Sequence, residues 1–207
     1  MPTQRPFLFD IGNVLCTFDY EPMLGALRAQ STELGADPLR RFAETKDLYE
    51  TGKWGDDEFI THVSDAIGFR LDRDEFVRIW TSVFKENAPM TRVVRGLHAA
   101  GHPLFLLSNT NGLHLRYLVD TLPVFELFAG GVYSHEAGSI KPEPLIYEAA
   151  ISRFSIDPEE AFYIDDLPAN ISTGERLGLI SHRYDVANHD AFERWLESHG
   201  VAFETSP

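Results

Sequence analysis

Cysteine is almost missing. Cys16 is the only one, so no intrachain disulfide can form, and its place after Leu15 reads as a small buried hydrophobe. Positive charge is also scarce, with 18 Lys and Arg against 32 Asp and Glu and a net charge of −14. No basic run interleaves with aromatics, which speaks against nucleic acid and anionic membrane as partners. The same imbalance means that an anionic ligand needs a local cluster of positive charge. No apolar run is long enough to span a bilayer, and the first residues lack the basic-then-apolar order of a secretion signal; the expectation is a cytoplasmic protein. On that expectation the sequon Asn170-Ile171-Ser172 is a chance match. Also absent are a glycine-rich dinucleotide loop, a P-loop, a nucleophile elbow, internal repeats and any pair of histidines spaced to hold a metal on a helix.

What is present suits one domain, or one domain with a large insertion: 207 residues, 43% of them hydrophobic. Phe7-Leu8-Phe9, bounded by Pro6, reads as a short buried strand. Between 20 and 87 no strand pattern is convincing, and helices are predicted over 21–30, 38–50, 56–67 and 72–85. Pro38 and Asp56 to Glu58 are start signals, while Gly35, Gly52 and Gly68 are stops. Phe76, Trp80 and Phe84 recur at helical spacing with Ile79 and Val83 between them, a stripe that belongs to a core.

Beyond Pro89 the texture alternates. Helices are predicted over 91–100, 113–118, 144–154, about 171–177 and 191–199, with strands over 103–107, 131–133, 161–164 and 179–184. Alternation of this kind predicts an α/β fold with a parallel sheet covered on both faces, which the first strand must join. The all-helical stretch is then an insertion, giving a core of residues 1–17 and 88–207 and a helical cap of residues 18–87. A cap over the catalytic end of a sheet excludes water and selects the substrate. Residues 201–207 read as a frayed tail.

Chemistry gathers at the strand ends, where ligands sit in open α/β sheets. Asp10 ends the first strand and suits a nucleophile or a metal ligand, although alone it reads equally as a turn cap. Ser108-Asn109-Thr110-Asn111-Gly112 follows a strand and opens a helix, offering a hydroxyl and free N–H groups to an anion, or simply capping the helix. Lys141 precedes Pro142, a residue suited to opening a helix; it is a point charge for phosphate or an ordinary surface lysine. Asp165-Asp166 directly follows an apolar strand, a costly pairing unless a cation sits beside it, and magnesium suits such oxygen ligands.

Nucleophilic Asp, hydroxyl, Lys and acidic pair, in that order, resemble the haloacid dehalogenase superfamily. A bacterial receiver domain uses similar parts with its acidic pair first. The likeness spans the whole chain. Phe9-Asp10-Ile11-Gly12-Asn13-Val14, Leu107-Ser108-Asn109-Thr110-Asn111, Lys141-Pro142-Glu143 and Asp165-Asp166 are similar to the bacterial α-D-glucose-1-phosphate phosphatase branch and to the N-terminal phosphatase domain of mammalian soluble epoxide hydrolase. The resemblance implies a Rossmann-like core with a helical C1-type cap, and a Mg²⁺-dependent phosphatase acting on a small phosphorylated metabolite, with a sugar phosphate among the candidates, as a monomer or homodimer. By the same resemblance Asp10 attacks phosphorus and becomes an aspartyl phosphate, and Asp10, the carbonyl of Gly12 and Asp166 hold the magnesium. Asp165 supports the metal site and Asn170 orients the acidic turn. Ser108, Asn109 and Lys141 bind the phosphoryl oxygens. Lys53 and Trp54, beyond Gly52 in Tyr49-Glu50-Thr51-Gly52-Lys53-Trp54, lie where related caps return a loop to the substrate.

One position departs from the pattern. Most phosphatases of the superfamily carry a second Asp two residues after the nucleophile, as acid and then base; here that position is Gly12. Such a group is worth on the order of 10²–10⁴ in rate. A good leaving group such as an anomeric sugar phosphate, a substitute acid from the cap or a water, or loss of activity would each account for the gap. His114 and His135 lie near enough in sequence to be weighed as substitutes. Two other readings stay open: a haloacid dehalogenase-type hydrolase, whose activity would survive chelation, and a non-catalytic protein that binds phosphoryl ligands without turnover.

Overall fold

The computed structural model describes residues 4–32, 38–201 and 203. Gly35 and most of the tail, read above as a helix stop and a frayed end, lie outside the described residues. The chain runs from β1 (Phe7–Phe9) through a tight turn into β2 (Cys16–Phe18). Helices α1 (Tyr20–Ala29), α2 (Pro38–Glu50), α3 (Asp56–Ile67) and α4 (Arg73–Trp80) follow, and β3 (Phe84–Glu86) pairs antiparallel with β2. Then come α5 (Ala88–Ala99), β4 (Leu104–Ser108), α6 (Gly112–Thr121), β5 (Gly131–Tyr133), α7 (Ser134–Ala137), α8 (Pro144–Arg153), β6 (Phe162–Asp165), α9 (Pro168–Arg176), β7 (Ile180–Arg183) and α10 (His189–Ser198).

Among the described residues β1, β4, β5, β6 and β7 form one parallel sheet in the order β5-β4-β1-β6-β7. β1 takes the centre because it is apolar on both faces, and Phe7, Leu8 and Phe9 are each 0% exposed. Strand alternation sends Phe7 and Phe9 to a cluster with Val93, Val94 and Leu97 of α5 and Phe192 and Leu196 of α10. Leu8 points the other way, to Ile146, Tyr147 and Ala150 of α8. Each such side chain contributes about 1.5–3 kcal/mol by leaving water. The sheet is therefore sandwiched between helices, as the alternating texture predicts. Among the described residues no helix is long and apolar enough to cross a membrane.

The inserted helices have a core of their own. Met23 and Leu27 of α1, Tyr49 of α2, Phe59 and Val63 of α3, and Phe76 and Trp80 of α4 pack together. Their ends follow the sequence signals. Glu58 accepts the Gly55 N–H at 2.9 Å, Asp72 accepts the Glu75 N–H at 3.0 Å, and Gly68 closes α3 with a left-handed φ of 59°.

The structure corrects some boundaries. The helix predicted over 72–85 stops at Trp80, and Phe84 and Lys85 belong to a strand. Pairing with β2 outweighs helical periodicity there, and the Phe84 ring turns toward Phe18 and His114, with centroids 5.4 and 4.8 Å away. Pro142 does not open a helix, and α8 starts at Pro144, where the helix over 144–154 is expected.

Candidate active site

Parallel neighbours bring the ends of β4, β1 and β6 to one edge of the sheet. Asp10 continues β1 by one residue, its N–H donating to the Ile164 carbonyl at 2.9 Å. The chain then folds tightly, the Ile11 carbonyl accepting from Leu15 N at 2.9 Å and Cys16 N at 3.1 Å. Asn13 takes a φ of 52°, a left-handed geometry Asn tolerates, and its amide donates to Asp166 Oδ2 at 3.0 Å. Ser108 and Asp165 are the last residues of β4 and β6.

Lys141 is the hub. Its ammonium lies 2.9 Å from Asp10 Oδ1, 2.6 Å from Asp165 Oδ2 and 2.8 Å from the Leu107 carbonyl, which uses all three N–H donors. Asp165 is saturated as well. Besides Lys141 it accepts from the Tyr163 hydroxyl at 2.6 Å, Leu167 N at 2.9 Å and the Asn170 amide at 2.9 and 3.1 Å. Asn109 has a different task from the one the resemblance implies. Its amide oxygen accepts Lys141 N at 2.7 Å and its NH₂ donates to Lys141 O at 2.9 Å. The side chain holds the lysine backbone in place at the edge of the cavity.

Charge does not balance here. Asp10 and Asp165 share one lysine, and Asp166 lies half-buried beside them. Burial pushes the Asp10 carboxyl up to about 6, the Lys141 charge pulling against it and the Asp165 charge adding to it, with hydrogen bonds from Lys141 and Ser108 also lowering it. Burial alone would lower Lys141, but the charges of Asp10 and Asp165 outweigh it and hold the lysine well above its ordinary range. Burial also raises Asp166, with the Asn13 amide opposing. Carboxylate oxygens of Asp10, Asp165 and Asp166 lie within 4.8 Å of one another, a donor set that fits a hard divalent cation. Since the oxygens of Asp165 are already taken, Asp10 and Asp166 are the pair with room for an ion.

A cavity of about 260 Å³ opens over these groups. Asp10, Gly12, Ser108, Asn109, Lys141 and Asp166 form its floor, and Tyr20, Met23, Lys46, Glu50 and Trp80 reach it from the helical segment. Lys53 and Trp54 do not line it. Lys53 is exposed, and Trp54 packs on His62 with centroids 5.0 Å apart. The cause is Gly52, which has a φ of 69° and is pressed so close to the His135 carbonyl that a Cβ would sit 2.0 Å from its oxygen. That turn docks on the sheet side and carries the next two residues away from the cleft. The residues that do face it, Lys46 and Glu50, are four apart on α2 and form an ion pair along that helix. Of the two histidines, His135 stands outside the lining with Nδ1 at 3.0 Å from the Thr110 carbonyl. His114 lines the cavity, but burial lowers it to about 4, and its Nδ1 faces the Asn111 amide at 3.2 Å.

The fold and its strand-end chemistry define an α/β protein with a carboxylate-lined cleft at the ends of its central strands. Residues 6–178 match the family of haloacid dehalogenase-like (HAD) hydrolases, and the chain belongs to that family. It is similar to the D-ribitol-5-phosphate phosphatase of Bacteroides thetaiotaomicron, 26% identical over 185 residues that cover 84% of this chain and 89% of that protein. A HAD-like hydrolase from Porphyromonas gingivalis superposes with a TM-score of 0.78 at 28% identity, covering 93% of this chain and 97% of that one. A HAD family enzyme from Bacteroides thetaiotaomicron, solved with magnesium and inorganic phosphate, shares the fold with a TM-score of 0.77 at 22% identity, covering 89% and 96% of the two chains.

Proposed function

We propose that the protein is a magnesium-dependent phosphatase that hydrolyses small phosphomonoesters, a sugar phosphate among the candidates, through an aspartyl phosphate on Asp10. The observation that carries this reading is the buried Lys141 ammonium shared by Asp10 and Asp165 beside a third carboxylate. Asp10, the carbonyl of Gly12 and Asp166 would hold magnesium, which supplies neutralising charge to the transferring phosphoryl group. Ser108 binds a phosphoryl oxygen, Lys141 lends its positive charge to the phosphoryl group while its donors hold Asp10, Asp165 and the Leu107 carbonyl, Asn109 fixes the lysine, and Asp165 with Asn170 fixes its other side. Asp10 then forms the bond to phosphorus while the leaving oxygen departs into the cavity under the helical segment, which serves as its cap. Haloacid substrates are disfavoured, because the acid cluster would repel their carboxylate.

Two measurements test this together. Free phosphate is expected from a panel of phosphate esters with MgCl₂ and none in EDTA. Magnesium is also expected to raise the melting temperature, by the equivalent of about 2.7 kcal/mol at 100 times its dissociation constant. Asp166→Asn should lose that rise. Turnover that persists in EDTA, with no thermal shift, would sink the reading.

A further inference from the structure

The loop that carries Asp10 has no proton carrier, and the fold has filled the place where one would stand. A Cβ on Gly12 would lie 3.0 Å from Phe18 Cζ and 3.1 Å from Cε2, so a side chain at that position meets the phenyl ring and the ring has to give by a few tenths of an ångström. The core offers no replacement. Every N–H of Lys141 is committed, every oxygen of Asp165 is bonded, and Asp10 and Asp166 belong to the nucleophile and ion seat. His114 is neutral over the working pH range, and an Nδ1 that accepts from Asn111 leaves Nε2 carrying hydrogen, so it is neither a ready acid nor a ready base.

Among the described residues, a carboxyl with unspent capacity comes from the other side of the cleft. Glu50 is the last residue of α2, lines the cavity and is only 8% exposed. Among the described residues its one partner is Lys46, whose Nζ stands 3.4 Å from Oε2. A carboxyl this buried normally collects several donors, as Asp165 does. Glu50 instead keeps an oxygen for whatever enters the cavity.

Resting on the phosphatase reading, we propose that Glu50 is the acid–base group of this enzyme. In the first half-reaction Asp10 bonds to phosphorus, the bond from phosphorus to the leaving oxygen breaks, and the Glu50 carboxylic acid gives its proton to that oxygen, releasing an alcohol. In the second, a water bonds to phosphorus and gives its proton to the Glu50 carboxylate. The bond from Asp10 to phosphorus breaks, and phosphate leaves with the site restored. Lys46 orients the carboxyl and shields the charge left on it after proton transfer. Burial raises the affinity of Glu50 for its proton, Lys46 opposes this, and Asp47 and Asp10 reinforce it, which favours the acid form that the first step uses. Tyr20 of α1 lines the same cavity.

The test uses the magnesium-loaded full chain and two substrates, an alkyl phosphate and 4-nitrophenyl phosphate, whose leaving group departs without a proton. With Glu50→Gln the alkyl ester is expected to lose on the order of 10²–10⁴ in kcat. The nitrophenyl ester should still give a rapid burst of one equivalent of nitrophenol, followed by a comparably slowed steady state, because only the second half-reaction then needs the missing base. Glu50→Asp should recover part of the alkyl rate, and it carries the test if the Gln variant melts early. Equal slowing of both esters without a burst, or no recovery with Asp, overturns the role of Glu50. A parent enzyme that releases phosphate from neither ester overturns instead the phosphatase reading beneath it.

Discussion

With Asp10 replaced by Asn, phosphate release is expected to fall by at least about 10³-fold, because the amide cannot form the bond to phosphorus and the ion seat loses a charged ligand. Folding should be untouched or slightly improved in the absence of metal. Asp10 is buried enough for its carboxyl to be raised to about 6, so its charge is held at a cost that the isosteric amide avoids. Lys141 keeps Asp165 at 2.6 Å, a neutral pair. Phosphate assays beside melting curves in EDTA check both halves. A variant that turns over at the parent rate would place the nucleophile elsewhere.

Lys141→Met should do the opposite to stability. Methionine is close in volume, yet it leaves two buried carboxylates with no cation between them and the Leu107 carbonyl without its 2.8 Å donor. Removing one partner from a buried ionic cluster costs about 3–5 kcal/mol. Urea denaturation in EDTA should therefore show a midpoint well below that of the parent with an unchanged slope. Activity should vanish as well, and magnesium should restore only part of the stability, since the ion neutralises Asp10 but not the saturated Asp165. A parent-like urea midpoint would mean that the lysine is not the electrostatic keystone the distances make it.

Much of this could be read from the sequence, for a physical reason. The strands are short, continuous and apolar, so the polar residue that ends each of them stands out, and Asp10, Ser108 and Asp165 fall at strand ends as expected. The wall over the site was harder to read. The left-handed turn at Gly52 lands on His135 and sends Lys53 and Trp54 away from the cleft, while Lys46 and Glu50 on the helix just before it face the cleft. Nothing in a Lys and Glu spaced by one helical turn distinguishes a cavity wall from a surface. Asn109 was placed correctly beside the site, yet its amide serves the lysine backbone, a pairing between two loops that no local pattern encodes. The end of α4 was lost for a similar reason, since β3 exists only because β2 is there to meet it.

The ring of Phe18 against Gly12 also bears on how such a protein can change over time. An aspartate at position 12 would press on the tip of an aromatic that lies near Tyr20 and Phe84, with centroids 5.6 and 5.4 Å away, and crowding of that kind costs about 1–3 kcal/mol. Gly12→Asp should lower the melting temperature, and the same change made in a Phe18→Ala background should cost less, because the ring it presses on is gone. Positions 12 and 18 are thereby coupled, so the effect of an acid at 12 depends on the size of the residue at 18.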